Sequence, residues 1–184
     1  MTLFDMFQTH TGRQIDKWRH YFPIYEAHFA RYRGTKMRLL EIGIDHGGSL
    51  QLWKRYFGRD AEIIGVDIDS ATLFREDQIT TYAYKNGQCD PEIAKLGPFD
   101  IVIDDGSHIT EDQQITFSNL WPRCSGVYLI EDCHGAYPML VPYPKLNWCY
   151  PWIHVSERTQ RQIRGRPSRE LRPDEVEARK LYAR

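Results

Sequence analysis

Two short stretches carry the side chains best able to do chemistry: Asp104-Asp105-Gly106-Ser107-His108 and Glu131-Asp132-Cys133-His134. Each follows an apolar, β-branched run, FDIVI and VYLI, and so reads as the loop at the carboxyl end of a buried strand. Three carboxylates (Asp105, Glu131 and Asp132) brought into one cleft repel one another unless a cation or a proton intervenes. All-oxygen donors suit hard divalent ions, magnesium first, then manganese or calcium. Zinc fits less well, because neither a thiolate nor a second histidine has the right spacing. His108, three residues after Asp105, can accept a proton from a hydroxyl that a metal ion holds and acidifies. Taken alone, His108 reads equally as a capping or structural histidine; the adjacent acids favour the base. Asp104 would support the site from behind.

The second chemical element is Met37 to Ser49, MRLLEIGIDHGGS. It reads as a buried strand running into a glycine turn (Gly43, Gly47, Gly48) and a helix capped by Ser49. Strand, glycine turn and helix N-terminus together cradle nucleotides. The spacing is not the dinucleotide G-x-G-x-x-G. Asp45 stands where the second glycine would be, and Glu41 stands just before the first. A carboxylate beside the turn suits a cationic ligand better than a pyrophosphate, which points to S-adenosylmethionine (SAM) rather than NAD. Asp67 ends the next strand about 20 residues on, where an acid accepts hydrogen bonds from ribose hydroxyls. Gln88 and Asp90, after the Asn86-Gly87 turn, could read the amino edge of an adenine; Asp90 reads equally as the cap of a short helix opened by Pro91.

These residues need a scaffold that gathers strand ends. Strands are expected at 37–42, 62–67, 80–84, 99–104 and 127–130, alternating with helices. One helix follows the glycine turn and buries Leu50, Trp53 and Phe57. Another buries Ile115, Phe117 and Leu120 behind a Thr110/Gln113 capping box. Such alternation predicts an α/β fold: a three-layer Rossmann-like sheet, mostly parallel, with a C-terminal antiparallel hairpin over 153–155 and 160–164. Ligands of such sheets bind at the carboxyl ends of the strands, where all the residues singled out above lie. Residues 1–36 are expected to form an N-terminal helical lid. Its first 13 residues would fray, Pro23 would break or bend its helix, and Lys17, His20, Tyr21 and Tyr25 would fold over the ligand. Residues 37–166 would be the cofactor domain and 167–184 a charged tail. The proline-rich stretch 135–150 reads as a loop in which Tyr137, Tyr143, Trp148 and Trp152 line an acceptor pocket or cover the core.

Composition removes several alternatives. The 184 residues suffice for one core. A formal net charge of −1 gives no basic field for nucleic acid. No apolar run approaches a membrane span, and no signal peptide is evident. The four cysteines lack C-x-x-C spacing and read as free thiols in a reducing cytoplasm.

The strings LEIGIDHGGSLQLWKRYF, EIIGVDID, FDIVIDDGSH and VYLIEDCH resemble a class I SAM-dependent methyltransferase. More narrowly, with IDKWRHYFPIYEAHF, they resemble the branch that holds the macrolide sugar O-methyltransferases and the cephalosporin-hydroxylase-like proteins. The resemblance covers roughly residues 14–137 and implies a seven-strand fold. It places Glu41 and Gly43 by the methionine moiety, Asp67 on the ribose and Gln88 and Asp90 near the adenine. It makes Asp105, Glu131 and Asp132 the metal ligands and His108 the general base. Ser125-Gly126 stands where the family has a glycine pair, and the stretch after Tyr137 is short, so the resemblance does not reach the acceptor-binding part. The expected function is magnesium-assisted O-methylation of a small-molecule hydroxyl, on a sugar or natural product. A non-catalytic SAM-binding partner or regulatory subunit is the alternative. The aromatic N-terminal helices could pack against a second copy.

Overall fold

Consecutive apolar residues in the strands point to opposite faces, and the structure buries both. The computed structural model describes residues 1–133, 146–150 and 153–156. Strands β1 (Arg38–Ile42), β2 (Glu62–Asp67), β3 (Arg75–Glu76), β4 (Ile79–Ala83), β5 (Phe99–Asp104), β6 (Cys124–Ile130), β7 (Leu146–Tyr150) and β8 (Ile153–Ser156) form one sheet in the order β3-β4-β2-β1-β5-β6-β8-β7. The five strands from β4 to β6 in that order run parallel; β3, β8 and β7 pair antiparallel. On one face Leu39, Ile63, Ile101, Ile103, Val127 and Leu129 meet helices α1 (Leu3–Gln8), α2 (Phe22–Phe29) and α3 (Gly48–Phe57). On the other, Leu40, Ile64, Val66, Val102, Tyr128 and Ile130 meet Phe117 and Leu120 of helix α4 (Thr110–Leu120). This is the expected three-layer α/β sheet, with one two-residue strand more than the seven implied.

Several local expectations are corrected. Among the described residues β8 forms an antiparallel hairpin with β7; the expected partner 160–164 lies outside the described residues. Residues 146–150 form a strand because Pro144 and Pro151 flank that stretch instead of interrupting it. The chain start does not fray. Thr2 and Asp5 form a capping box on α1, which buries Leu3 and Met6. Pro23, by contrast, divides the aromatic run as expected: a 3-10 turn over Arg19–Tyr21 ends there and α2 begins, with Pro23 in its first turn, where the missing N–H costs nothing. Helix α3 is capped by Gly47 at φ 80°, not by Ser49. Helix α4 has no capping box: Ile109 precedes it, and Ser107 Oγ accepts from Ile109 N (3.2 Å) instead. Its buried stripe is Gln113, Thr116, Phe117 and Leu120, which leaves Ile115 exposed. Tyr137, Tyr143, Trp152 and the tail 167–184 lie outside the described residues.

The 1–36 segment shares its core with the sheet through Leu3, Tyr21, Phe22, Ile24, Tyr25 and Phe29. His28 of α2 is buried with it, and its Nδ1 has no hydrogen-bond partner. Burial, helped by Arg31, pulls His28 down to about 4. The unfolded chain therefore takes up a proton near pH 6.5 that the fold refuses until about pH 4. Stability is retained above that window and falls by roughly 3 kcal/mol as pH drops through it. Denaturation of a His28→Asn variant should show a flatter pH dependence over this range; a slope equal to the parent's would remove His28 as the cause.

Candidate active site

A cleft of about 680 Å³ opens at the carboxyl ends of the parallel strands, within the size range of small-molecule sites. Gly43, Asp45, Asp67, Gln88, Asp105, His108, Glu131 and Asp132 line it, joined by Asp16, Lys17 and Trp18 from the N-terminal segment. The backbone ladder carries these loops past the strand ends: Gly43 N donates to Val66 O (2.8 Å), Asp105 N to Ile42 O (2.9 Å) and Glu131 N to Asp104 O (2.8 Å). Gly43 has φ 77°, and a Cβ there would strike the Asp105 carbonyl, so only glycine lets the first and central loops meet.

On one side of the cleft stand Asp67 and, behind it, Glu41. Asp67 Oδ2 accepts from Ile44 N and Oδ1 from Asp69 N, both at 2.9 Å, which orients its carboxylate at the cleft wall. Glu41 is fully buried. Its Oε2 accepts from Ser49 Oγ (2.8 Å) and Trp53 Nε1 (2.9 Å), and its Oε1 faces Lys17 Nζ at 2.9 Å. Ser49 thus serves Glu41 instead of capping α3. Gly47 lies against the Phe74 ring and Gly48 against the Arg13 and Gln14 carbonyls, so the chain itself fills the space beside both glycines. Gln88 lines the cleft, accepts from Ser107 N and donates weakly to Asp104 Oδ1 (3.4 Å). Asp90 caps the turn of Pro91–Leu96 by accepting from Glu92 N (3.0 Å). Asp104 is fully buried beneath the cleft; its Oδ2 has no partner, and burial pushes its carboxyl up to about 8.

The other side of the cleft joins the ends of β5 and β6. Asp105, His108 and Asp132 each offer a donor atom within 4.8 Å of the others, a set able to hold a divalent cation. His108 Nε2 lies 4.0 Å from Asp132 Oδ2, while its Nδ1 is buried. Among the described residues, the non-glycine positions with positive φ are Asp45, Gln78, His108 and Asp132, and all but Gln78 line the cleft. Backbone held in this sparsely populated region gathers at sites of function.

Glu131 sits differently from its two neighbours. It is buried, accepts from Tyr25 Oη (2.5 Å) on Oε1 and pairs with Lys17 Nζ (3.1 Å) on Oε2. Burial, reinforced by Asp105 and opposed by Lys17, pushes its carboxyl up to about 8. Burial raises Asp105 as well, again opposed by Lys17. Burial works against the Lys17 ammonium, but Asp105, Glu131 and Glu41 outweigh it, so Lys17 stays cationic. Tyr21 Oη donates to Asp132 Oδ1 (2.5 Å), completing the N-terminal grip on the acid loop. Sequence reasoning placed Lys17, Tyr21 and Tyr25 above the ligand and missed that they are partners of the acids. The converging carboxylates signalled a need for positive charge, but nothing local to Lys17 marked it as the residue that supplies it.

No family model matches the chain. The demethylmacrocin O-methyltransferase of Streptomyces fradiae is 45% identical over 136 residues, 66% of this chain and 34% of that protein. The 8-demethyl-8-(2-methoxy-alpha-L-rhamnosyl)-tetracenomycin-C 3'-O-methyltransferase of Streptomyces olivaceus is 43% identical over 142 residues, 70% of this chain and 36% of that protein. Among solved structures, the MycE methyltransferase from the mycinamycin biosynthetic pathway, in complex with Mg and SAH, matches with a TM-score of 0.69 at 30% identity, over 85% of this chain and 54% of that chain. The chain spans about a third of the length of the curated relatives it matches. The described residues therefore form a class I SAM-dependent methyltransferase fold whose sequence is related to the macrolide and sugar O-methyltransferases.

Proposed function

We propose that the protein transfers a methyl group from SAM to a hydroxyl of a small molecule, on a sugar or another part of a natural product. The observation that carries this reading is the cluster of Asp105, His108 and Asp132 in the same cleft as the Gly43 turn and Asp67. The relatives support the acceptor class: one is named for a rhamnosyl tetracenomycin, and another structure of MycE holds mycinamycin VI.

SAM, when bound, would supply the methyl group, and magnesium would supply positive charge that lowers the pKa of a nearby hydroxyl. Asp105 and Asp132 would hold such an ion as carboxylate ligands, leaving His108, the third group of the cluster, to take the proton; Glu131, expected as a ligand, lies outside that cluster and pairs with Tyr25 and Lys17 instead. The Gly43 turn, Asp67 and Gln88 bind and orient the cofactor. His108 would accept the proton of the acceptor hydroxyl at Nε2 when the methyl group is transferred. The remaining contribution is alignment of the two partners for in-line displacement. Residues 1–36 wall the cleft through Asp16, Lys17 and Trp18, with Tyr21 and Tyr25 buried behind it against Asp132 and Glu131. Among the described residues no helix is long and apolar enough to cross a membrane.

Calorimetric titration with S-adenosylhomocysteine, with and without magnesium, tests the cofactor directly. One saturable equivalent is expected in both runs, and no binding in either would overturn the assignment. A chelator should lower methyl transfer to glycosylated acceptors by more than about tenfold while S-adenosylhomocysteine still binds. Full activity in chelator would remove the metal from the mechanism.

A further inference from the structure

Lys17 is the least expected member of the cleft. It lies in a stretch without regular secondary structure, yet its side chain is only 3% exposed. Its ammonium reaches Glu41 Oε1 at 2.9 Å, Asp105 Oδ2 at 2.5 Å and Glu131 Oε2 at 3.1 Å. The stretch is held on both sides. Upstream, Arg13 N donates to Gln51 Oε1 (2.7 Å), the Arg13 guanidinium lies over Phe74, and the Arg13 and Gln14 carbonyls pack on Gly48. Downstream, Tyr21 and Tyr25 bond Asp132 and Glu131. Lys17 therefore has little freedom to withdraw, and it holds one oxygen of Asp105, the residue that also belongs to the cation-binding set.

We infer that Lys17 is a resident cation that neutralises the acid cluster without a metal ion and thereby weakens divalent-ion binding at Asp105 and Asp132. The inference rests on the metal reading above. Its physical basis is repulsion between a fixed positive charge and an incoming one that share Asp105, in a cleft where such charges are poorly screened. The same ammonium ties Glu41 on the cofactor wall to Glu131 on the reactive wall, which makes Lys17 a positioning residue for both. A site arranged this way stays folded without metal and takes up its ion loosely.

The test is manganese binding to the full chain, read by electron paramagnetic resonance of the free ion, with S-adenosylhomocysteine affinity measured alongside. Lys17→Met should bind manganese more than about tenfold tighter than the parent, because the competing charge is gone. Lys17→Arg keeps the charge and should stay within about threefold of the parent. Lys17→Gln is neutral, can still donate to the carboxylates, and carries the same prediction as the methionine variant should that one fail to fold. Equal or weaker binding by the neutral variants overturns the competitor role while leaving the metal reading standing. Tightening by Lys17→Arg equal to that of Lys17→Met also overturns it, since charge would not be the cause. No manganese binding by the parent or any variant overturns both readings.

Discussion

Replacing His108 with alanine should lower methyl transfer by about 10²–10⁴-fold, the usual contribution of a positioned general base. S-adenosylhomocysteine affinity should change by less than about twofold. The split follows from placement. His108 stands beside Asp132 at the end of the β5 loop, whereas the groups assigned to the cofactor, Asp67 and Glu41, are held by Ile44, Asp69, Ser49 and Trp53. Single-turnover rates and calorimetry on the same preparation separate the two quantities. Equal loss of rate and affinity would mean that His108 shapes the cleft and does not take the proton. A variant that keeps its rate would pass the base role to another group.

Trp53 should give the largest loss of stability. It is fully buried among Tyr25, Phe29 and Phe57, and its indole N–H serves the buried Glu41 carboxylate. Trp53→Ala removes the ring and that donor together, at a cost of about 3–5 kcal/mol for the cavity alone. That is a large share of the 5–15 kcal/mol, roughly, that holds a typical domain folded. Trp53→Phe isolates the polar part. It keeps an aromatic ring but strips a donor from a buried charge, and should cost about 1.5–3 kcal/mol. Urea denaturation of the two variants measures both. A phenylalanine variant as stable as the parent would show that Ser49 and Lys17 suffice for Glu41.

The sheet was legible because its strands announce themselves. EIIGVD and FDIVID are short apolar runs closed by an acid, and β2 and β5 occupy those residues. Placing the acids at the carboxyl ends then followed from parallel topology alone. Helix detail was less legible. Ile115 was expected inside on residue type, but the buried face of α4 follows the spacing of Gln113, Thr116, Phe117 and Leu120, and Ile115 falls off that stripe. Ser49 looked like a cap because serine favours that position; a buried carboxylate eight residues earlier claims its hydroxyl instead. Lys17 was the hardest residue to read. No periodicity marks an irregular stretch, and its role exists only once three distant loops have been folded together.

That distance has a kinetic meaning. Lys17 is 88 residues from Asp105 and 114 from Glu131 along the chain. Contacts of such long separation are slow to form, since the entropy of closing the loop is lost before they contribute anything. A nascent chain that has reached Asp104 already holds β1, β2, β4 and β5 and much of both apolar layers, yet it has neither Glu131 nor Asp132. The charged cluster therefore closes only when β6 docks beside β5 and the buried ammonium finds its remaining partner, before β7 and β8 extend the sheet. Synthesis can lay down the scaffold and the groups assigned to the cofactor early, whereas Glu131 and Asp132 join the cluster only with β6.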